Sequence, residues 1–191
     1  MLEPVAVTSC GLYHPYRYLG EKNPLSDRQS KLMMDFKDEN NRNHRQAVNH
    51  FSQLAISVLR QMVVAGRRGL FIEYPFIVSI VPSHMAGRIS PSLLTVAERI
   101  TRECPRGQVN NCLARIETVP SAHREGGDRS ILGHMSTIRV QNDNLQGVNV
   151  LLLDDVKTTG GSLSACYYLL ESAGAGLIMP FALLETANYE E

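Results

Sequence analysis

Apolar residues recur along the chain at two alternating periods. Between residues 43 and 66 they return every three or four positions, which predicts one face of a helix. The continuous apolar run at 76–81 predicts a buried strand. Ser90 and Pro91 are then typical of a helix start, and they open a second periodic stretch that reaches Ile100.

The second half of the chain continues this alternation. Further strands are predicted at 112–117, 137–140, 148–153 and 177–185, with a helix at 163–173. Strands that are apolar throughout and alternate with helices are typical of parallel sheets covered on both faces. The chain therefore predicts an α/β fold in which helices flank a mostly parallel sheet.

Two segments lack this regular pattern. Residues 1–42 are interrupted by proline and glycine, with one short helix predicted near 30–36, and we interpret them as a hood over a core domain at 43–191. The stretch 118–134 is polar, basic and rich in glycine. A connection of this length is expected to be a functional lid or an unstructured loop.

Composition narrows the range of functions. The 191 residues are enough for one domain, and 19 basic residues balance 19 acidic ones, so no overall field favours nucleic acid or anionic lipid. No apolar run approaches the roughly 18 residues of a membrane span. The four cysteines show no metal-binding or disulfide spacing, which favours a reducing, cytoplasmic setting.

The segment 150–162 carries the chemistry. A predicted buried strand ends in Asp154 and Asp155, and a loop of hydroxyl and glycine residues then leads into a helix. Converging backbone amides and a helix N-terminus suit a phosphate, whereas paired carboxylates suit vicinal hydroxyls or a hydrated cation. A ribose 5-phosphate satisfies both halves. The alternative is that the acids merely end the strand and cap the next helix.

This segment resembles the 13-residue phosphoribosyl pyrophosphate (PRPP) signature of the type I phosphoribosyltransferases. With the helix, strand and loop that precede it, the resemblance covers about residues 36–185 and is nearest to the ComF-like group. It implies a mostly parallel five-stranded sheet flanked by helices, with a small hood. It also implies a pentosyltransferase of nucleotide metabolism that uses PRPP and Mg²⁺ to transfer ribose 5-phosphate to a nitrogenous base or a related acceptor and releases pyrophosphate. The implied partners are PRPP and a small-molecule base or nucleotide. Family members commonly form homodimers.

The resemblance assigns roles to particular residues. Asp154 and Asp155 would hold the ribose hydroxyls, lie near Mg²⁺ and take part in catalysis with Arg124. The PRPP-binding loop would further comprise Lys157, Thr158, Thr159, Gly160, Gly161 and Ser162. The pyrophosphate loop would comprise Ser83, His84, Met85, Ala86, Gly87 and Arg88.

Other charged residues admit simpler interpretations. Arg124 and Arg129 would lie on the lid, or they are solvated loop residues. The histidines at 84, 123 and 134 are interpreted as structural or surface residues rather than bases.

Two positions depart from the family pattern. Lys157 stands where the signature is usually aliphatic, so its side chain either turns outward or contacts a nucleotide. Purine salvage members usually carry an acid at the position of Thr158, and the threonine weakens the case for a purine acceptor.

Two hypotheses follow. The first is a Mg²⁺-dependent phosphoribosyltransferase. The second is a protein that binds PRPP or a nucleotide as a sensor or interaction module, for instance beside DNA uptake machinery.

Overall fold

The computed structural model describes residues 2–18, 20–64, 66–120, 130–141 and 144–188. Within these ranges the helices are α1 (Arg28–Lys37), α2 (His44–Gln61), α3 (Leu70–Glu73), α4 (Pro91–Glu103), α5 (Ile131–Thr137) and α6 (Gly161–Ser172). The strands of the first half are β1 (Thr8–Ser9), β2 (Leu12–Tyr13), β3 (Arg17–Tyr18), β4 (Glu21–Lys22), β5 (Val63–Val64), β6 (Arg67–Arg68) and β7 (Phe76–Ile80). Those of the second half are β8 (Gly107–Val109), β9 (Leu113–Arg115), β10 (Ile138–Val140), β11 (Asn149–Lys157) and β12 (Ile178–Thr186).

A parallel sheet forms the centre of the molecule. Its strands run in the order β1, β12, β11, β7, β8, and every pairing is parallel. The short strand β2 also pairs with β12, further along the edge that β1 occupies. Five strand positions therefore lie side by side, and the predicted α/β class with a mostly parallel sheet is confirmed.

The central strands are buried on both faces. In β11, Leu151 and Leu153 join an apolar cluster with α1, α2 and α4, while Val150 and Leu152 join another cluster with α6. Successive side chains of a strand point to opposite faces, so a strand that is covered on both sides is apolar at every position. This explains the unbroken hydrophobic run in the sequence.

The N-terminal segment contributes to both the sheet and the core. Residues 8–13 supply β1 and β2 at the sheet edge, which their irregular sequence did not predict. Met33 and Phe36 of α1 are fully buried, and the Phe36 ring makes an edge contact with Phe51 at a centroid distance of 5.5 Å. A domain boundary at residue 42 stays a prediction.

Two of the predicted strands lie outside the central sheet. The runs at 112–117 and 137–140 form β9 and β10, which pair with each other in an antiparallel ribbon. The expectation that they belong to the parallel sheet was wrong, because an apolar run alone does not specify which strand lies beside it. Part of the polar stretch at 118–134 is accordingly helical, since α5 begins at Ile131.

No helix in the described part of the chain is long and apolar enough to cross a membrane.

Candidate functional site

A cleft of about 830 Å³ opens at the carboxyl edge of the sheet. The strands β7, β11 and β12 all end there because they run parallel. The residues that line the cleft are Tyr13, Pro15, Arg17, Lys37, Val81, Pro82, His84, Arg115, Val119, Pro120, His134, Asp154, Asp155, Val156, Thr158, Thr159, Ser162, Thr186 and Asn188. In open α/β sheets this edge is the usual position of ligands.

The two predicted acids lie side by side in the cleft. One oxygen of each carboxylate accepts a hydrogen bond from the next backbone amide, at 2.8 Å for Asp154 and 2.6 Å for Asp155. The second oxygen of Asp155 lies 3.2 Å from the ammonium of Lys37. The second oxygen of Asp154 accepts a longer bond of 3.5 Å from the Ser162 hydroxyl. Each carboxylate thus has one oxygen engaged by a backbone amide.

The electrostatic setting separates the two acids from ordinary surface carboxylates. Burial raises the pKa of Asp154 to about 7, and repulsion from Asp155 acts in the same direction. Burial alone would lower the pKa of Lys37, but the charge of Asp155 and its hydrogen bond leave that pKa raised. A cation beside the acid pair therefore stabilises it, and a neighbouring anion does not.

The loop after β11 forms a small cradle. Gly160 has φ +78° and occupies the position before α6, where no side chain caps the helix. The Thr159 hydroxyl accepts a hydrogen bond of 3.4 Å from the backbone amide of Gly161. The space of about 100 Å³ in this loop is lined by His134, Val156, Lys157, Thr158, Thr159, Gly160, Gly161, Ser162 and Leu163. First-turn amides and hydroxyls are the groups that bind phosphate at a helix start.

Lys157 does not point its charge freely into this space. Its ammonium forms an ion pair with Glu185, the residue beside it in the register of β11 and β12. The polar lining of the cradle thus comes from backbone groups, hydroxyls and His134, without a free lysine charge.

The backbone amides of the predicted pyrophosphate loop form hydrogen bonds within the protein. The amides of Ser83, Met85, Ala86, Gly87 and Arg88 all donate to protein acceptors. Of the six predicted residues, His84 is the one that lines the cleft. The role of this loop stays a prediction, and in the described state its amides are largely engaged.

A buried arginine stands beside that loop. Arg115 is 3% exposed and donates to the Ser83 carbonyl at 2.6 Å and the Thr137 hydroxyl at 2.5 Å. Its remaining terminal nitrogen lies 3.4 Å from Nδ1 of His134. Burial lowers the pKa of Arg115 below its usual value, yet guanidinium retains its proton at neutral pH. It has no carboxylate partner among the residues that the structure describes.

Sequence reasoning missed two of these cations. A signal for Arg115 existed, because Leu113 and Arg115 share one face of a predicted strand and a charge on an apolar face is unusual. Lys37 gave no such signal. It lies in the last turn of α1, where basic residues are common, and only the fold brings it to Asp155.

Part of the predicted lid lies outside the described residues. This applies to His123, Arg124 and Arg129, so the proposed catalytic role of Arg124 has no structural description. His134, at the far end of the stretch, lines both the cleft and the cradle.

The described residues do not form the side-chain clusters that commonly bind metal ions. No group of three or more histidine, cysteine, aspartate or glutamate side chains is arranged to hold a metal there. Asp154 and Asp155 nevertheless offer two adjacent carboxylates. Magnesium sites that include substrate phosphates commonly use one or two carboxylates from the protein.

Comparison with known proteins gives a partial sequence likeness. No protein-family model matches the chain. Over 63 residues the chain is 43% identical to the adenine phosphoribosyltransferase of Corynebacterium jeikeium strain K411. This match covers 31% of this chain and 30% of that enzyme. Over 47 residues it is 47% identical to the adenine phosphoribosyltransferase of Corynebacterium kroppenstedtii, 25% of this chain and 26% of that enzyme. The matches thus span less than a third of these relatives.

A solved structure is similar at a lower level. A hypoxanthine phosphoribosyltransferase from Staphylococcus aureus shares 11% identity, with 85% of this chain and 70% of that chain covered and a TM-score of 0.37. The sequence matches establish that part of this chain resembles phosphoribosyltransferases.

Proposed function

We propose that this protein is a type I phosphoribosyltransferase that transfers ribose 5-phosphate from PRPP to a nitrogenous base or a related acceptor and releases pyrophosphate. The observation that carries the proposal is the adjacency of the Thr158–Ser162 cradle and the Asp154–Asp155 pair in one cleft, joined by the contact between Ser162 and Asp154. The partial likeness to adenine phosphoribosyltransferases supports it. Closeness to the ComF-like group, a homodimer and a cytoplasmic location stay predictions.

The arrangement gives PRPP one favoured orientation. The 5′-phosphate would enter the cradle and the ribose hydroxyls would meet the two carboxylates, which fixes the ring across the end of β11. The pyrophosphate would then extend toward β7 and Arg115, whose buried positive charge lacks a carboxylate partner in the described part of the chain. The acceptor would approach from the β12 side, between the N-terminal segment and Thr186.

The chain's own residues would act by positioning and electrostatics. As the bond from ribose C1 to pyrophosphate breaks, a nitrogen of the acceptor forms the new bond to C1 and loses its proton to solvent. In the transition state positive charge develops on the sugar ring, as in glycoside chemistry. The carboxylates would stabilise that charge, and Arg115 would stabilise the negative charge of the leaving group. Asp154 and Asp155 would hold Mg²⁺, which neutralises phosphate charge when bound. A closing lid would exclude water from the activated sugar.

The acceptor end of the cleft offers hydrogen bonds. Asn188 and Arg17 line it, and the Thr186 hydroxyl is buried with no hydrogen-bond partner among the described residues. A buried hydroxyl without a partner is costly, and an acceptor that bonds to it would remove that cost. These groups do not distinguish one base from another.

A second candidate function is favoured by the pyrophosphate loop. Five of its six amides are engaged by protein acceptors, so the described state is better arranged to hold a sugar phosphate than to assist the departure of pyrophosphate. A sensor or interaction module that binds PRPP or a nucleotide without turnover would have this property.

One experiment separates the two functions. Pyrophosphate release is measured with PRPP, Mg²⁺ and a panel of purine, pyrimidine and pyridine bases, using the Asp154→Asn/Asp155→Asn protein as a control. The transferase predicts base-dependent release that the double variant lacks. Saturable calorimetric binding of PRPP without release for any base would instead support the sensor.

A further inference from the structure

The ammonium of Lys37 lies 3.2 Å from Oδ2 of Asp155, within the site proposed for the ribose and the metal. Both side chains are partly exposed, 43% for Lys37 and 26% for Asp155. The lysine comes from α1 near the N-terminus, whereas the acid comes from β11. The contact therefore joins the N-terminal segment directly to the candidate active site.

The position of Lys37 is set by buried anchors next to it. Phe36 is fully buried against Phe51, and its backbone carbonyl accepts a hydrogen bond of 2.9 Å from the buried Ser92 hydroxyl. These contacts fix the last turn of α1 on the core. The flexible part of Lys37 is thus its side chain, which can leave Asp155 without moving the helix.

We propose that Lys37 has a guarding role, by which we mean that its ion pair with Asp155 controls the order in which ligands bind to the acid pair. In the ligand-free protein the lysine disfavours the binding of free Mg²⁺ to Asp155. It favours the binding of the metal together with PRPP. This inference rests on the proposed function in that it takes the acid pair to be a site for PRPP and Mg²⁺. The lysine is a positioning residue in this account, and it takes no part in bond making or breaking.

The selectivity follows from charge. Free Mg²⁺ is repelled by the ammonium of Lys37 and must displace it from Asp155, so the lysine weakens Mg²⁺ binding. PRPP carries several negative charges and remains anionic with one Mg²⁺ bound, so the same lysine attracts the complex. Once the complex is bound, Lys37 can turn from Asp155 toward oxygen atoms of the ligand. The expected result is ordered loading, in which little metal binds before PRPP.

The test measures metal binding in the absence of PRPP. Mn²⁺, as a spectroscopic substitute for Mg²⁺, is titrated into the full chain and its free concentration is followed by electron paramagnetic resonance. A partly exposed ion pair of this kind is worth about 1 kcal/mol, so Lys37→Gln should bind Mn²⁺ about fivefold more tightly than the wild type. Lys37→Arg should keep the weak binding of the wild type. Lys31→Gln, which removes an exposed lysine from the same helix, is the matched control and should change nothing.

Two further measurements locate the effect and separate it from a structural one. Adding Asp155→Asn to Lys37→Gln should abolish the gain in Mn²⁺ affinity. Calorimetry with metal-free PRPP should show weaker binding to Lys37→Gln, the opposite direction from the metal. If Lys37→Gln does not fold, as judged by circular dichroism, Lys37→Met keeps the aliphatic stem and enters the same comparison.

Each outcome is decisive. Tighter Mn²⁺ binding with weaker PRPP binding supports the guarding role. Unchanged or weaker Mn²⁺ binding in a folded Lys37 variant overturns it, because a lysine with only a structural role would alter stability alone. If the wild type fails to bind PRPP while the Mn²⁺ gain is present, the proposed function fails and the competition between Lys37 and the metal stands.

Discussion

The Ser162 hydroxyl lies 3.5 Å from Oδ2 of Asp154, so the first turn of α6 and the end of β11 meet at one point. This contact joins the loop that we propose for phosphate binding to the acid pair. A ligand that fills both must carry its phosphate and its hydroxyls within a few ångströms of each other, as a phosphorylated pentose does.

Burial of Asp154 predicts a pH-dependent stability of the ligand-free protein. Its pKa is raised from 3.8 to about 7, so the folded state holds a proton that the unfolded state has lost between these values. The free energy of unfolding should therefore fall as pH rises from about 4 to about 7, by up to about 4 kcal/mol. Asp154→Asn should flatten this dependence and be the more stable protein at pH 8. Urea unfolding at several pH values provides the measurement, and equal slopes for the two proteins would refute the assignment.

Arg115 should distinguish PRPP from ribose 5-phosphate. Arg115→Lys keeps the charge but loses the fork that donates to the Ser83 carbonyl and the Thr137 hydroxyl. Loss of one charge-assisted hydrogen bond to pyrophosphate should weaken PRPP binding about tenfold to a hundredfold. Ribose 5-phosphate, which lacks the pyrophosphate, should bind as before. Calorimetry with both ligands tests this, and an equal loss for both would show that the arginine only supports the fold. Arg99→Lys, at a half-buried arginine that bonds to Asn49, is the control.

Gly160 should be required for the shape of the cradle. Its φ of +78° disfavours any residue with a Cβ, and an added Cβ would lie 3.4 Å from Cε of Lys157. Gly160→Ala should cost about 1–2 kcal/mol of stability and weaken ribose 5-phosphate binding. Gly147→Ala is a close control, because Gly147 has φ +70° and nothing within 4 Å of an added Cβ. It should show a similar loss of stability with unchanged binding. If both variants bind the sugar phosphate equally well, the loop is not the phosphate site.

The Thr186 hydroxyl should contribute to binding of the acceptor and not to the stability of the fold. Its hydroxyl has no hydrogen-bond partner in the described part of the chain, so Thr186→Val should raise the free energy of unfolding by about 1 kcal/mol. The KM of the accepted base should increase while PRPP binding stays the same. Thr101→Val, at a half-buried threonine whose hydroxyl donates to the Glu98 carbonyl, should give no gain in stability. A Thr186→Val protein with unchanged KM would remove this hydroxyl from the acceptor site.

The elements with a strong period were predictable from the sequence. Helix α2 and strands β7, β11 and β12 carry apolar patterns that match their burial, and the paired acids follow directly from the end of a predicted strand. By contrast, β1 and β2 have two residues each, too few for a period, and their pairing with β12 is decided by the tertiary fold. The predicted pairing of β9 and β10 with the central sheet was wrong for a related reason, since an apolar run does not specify which strand lies beside it.

The candidate site divides in the same way. The acid pair and the cradle are contiguous in sequence, so local chemistry was sufficient to predict them. Lys37 lies 118 positions from Asp155, as the difference between their numbers gives, and nothing near either residue indicates the contact. The pyrophosphate loop was predicted as a backbone cradle, but its hydrogen bonds to Arg115 and Thr118 depend on a neighbouring strand and loop.

The most direct test of the account is calorimetric titration of Mg²⁺ and PRPP into the wild type and into Asp154→Asn/Asp155→Asn. We expect saturable binding at one site in the wild type and none in the double variant, with circular dichroism unchanged because asparagine has nearly the same shape as aspartate and neither acid belongs to the apolar core. Equal affinity in the two proteins, or no binding to the wild type, would contradict the claim that this cleft holds a phosphorylated pentose.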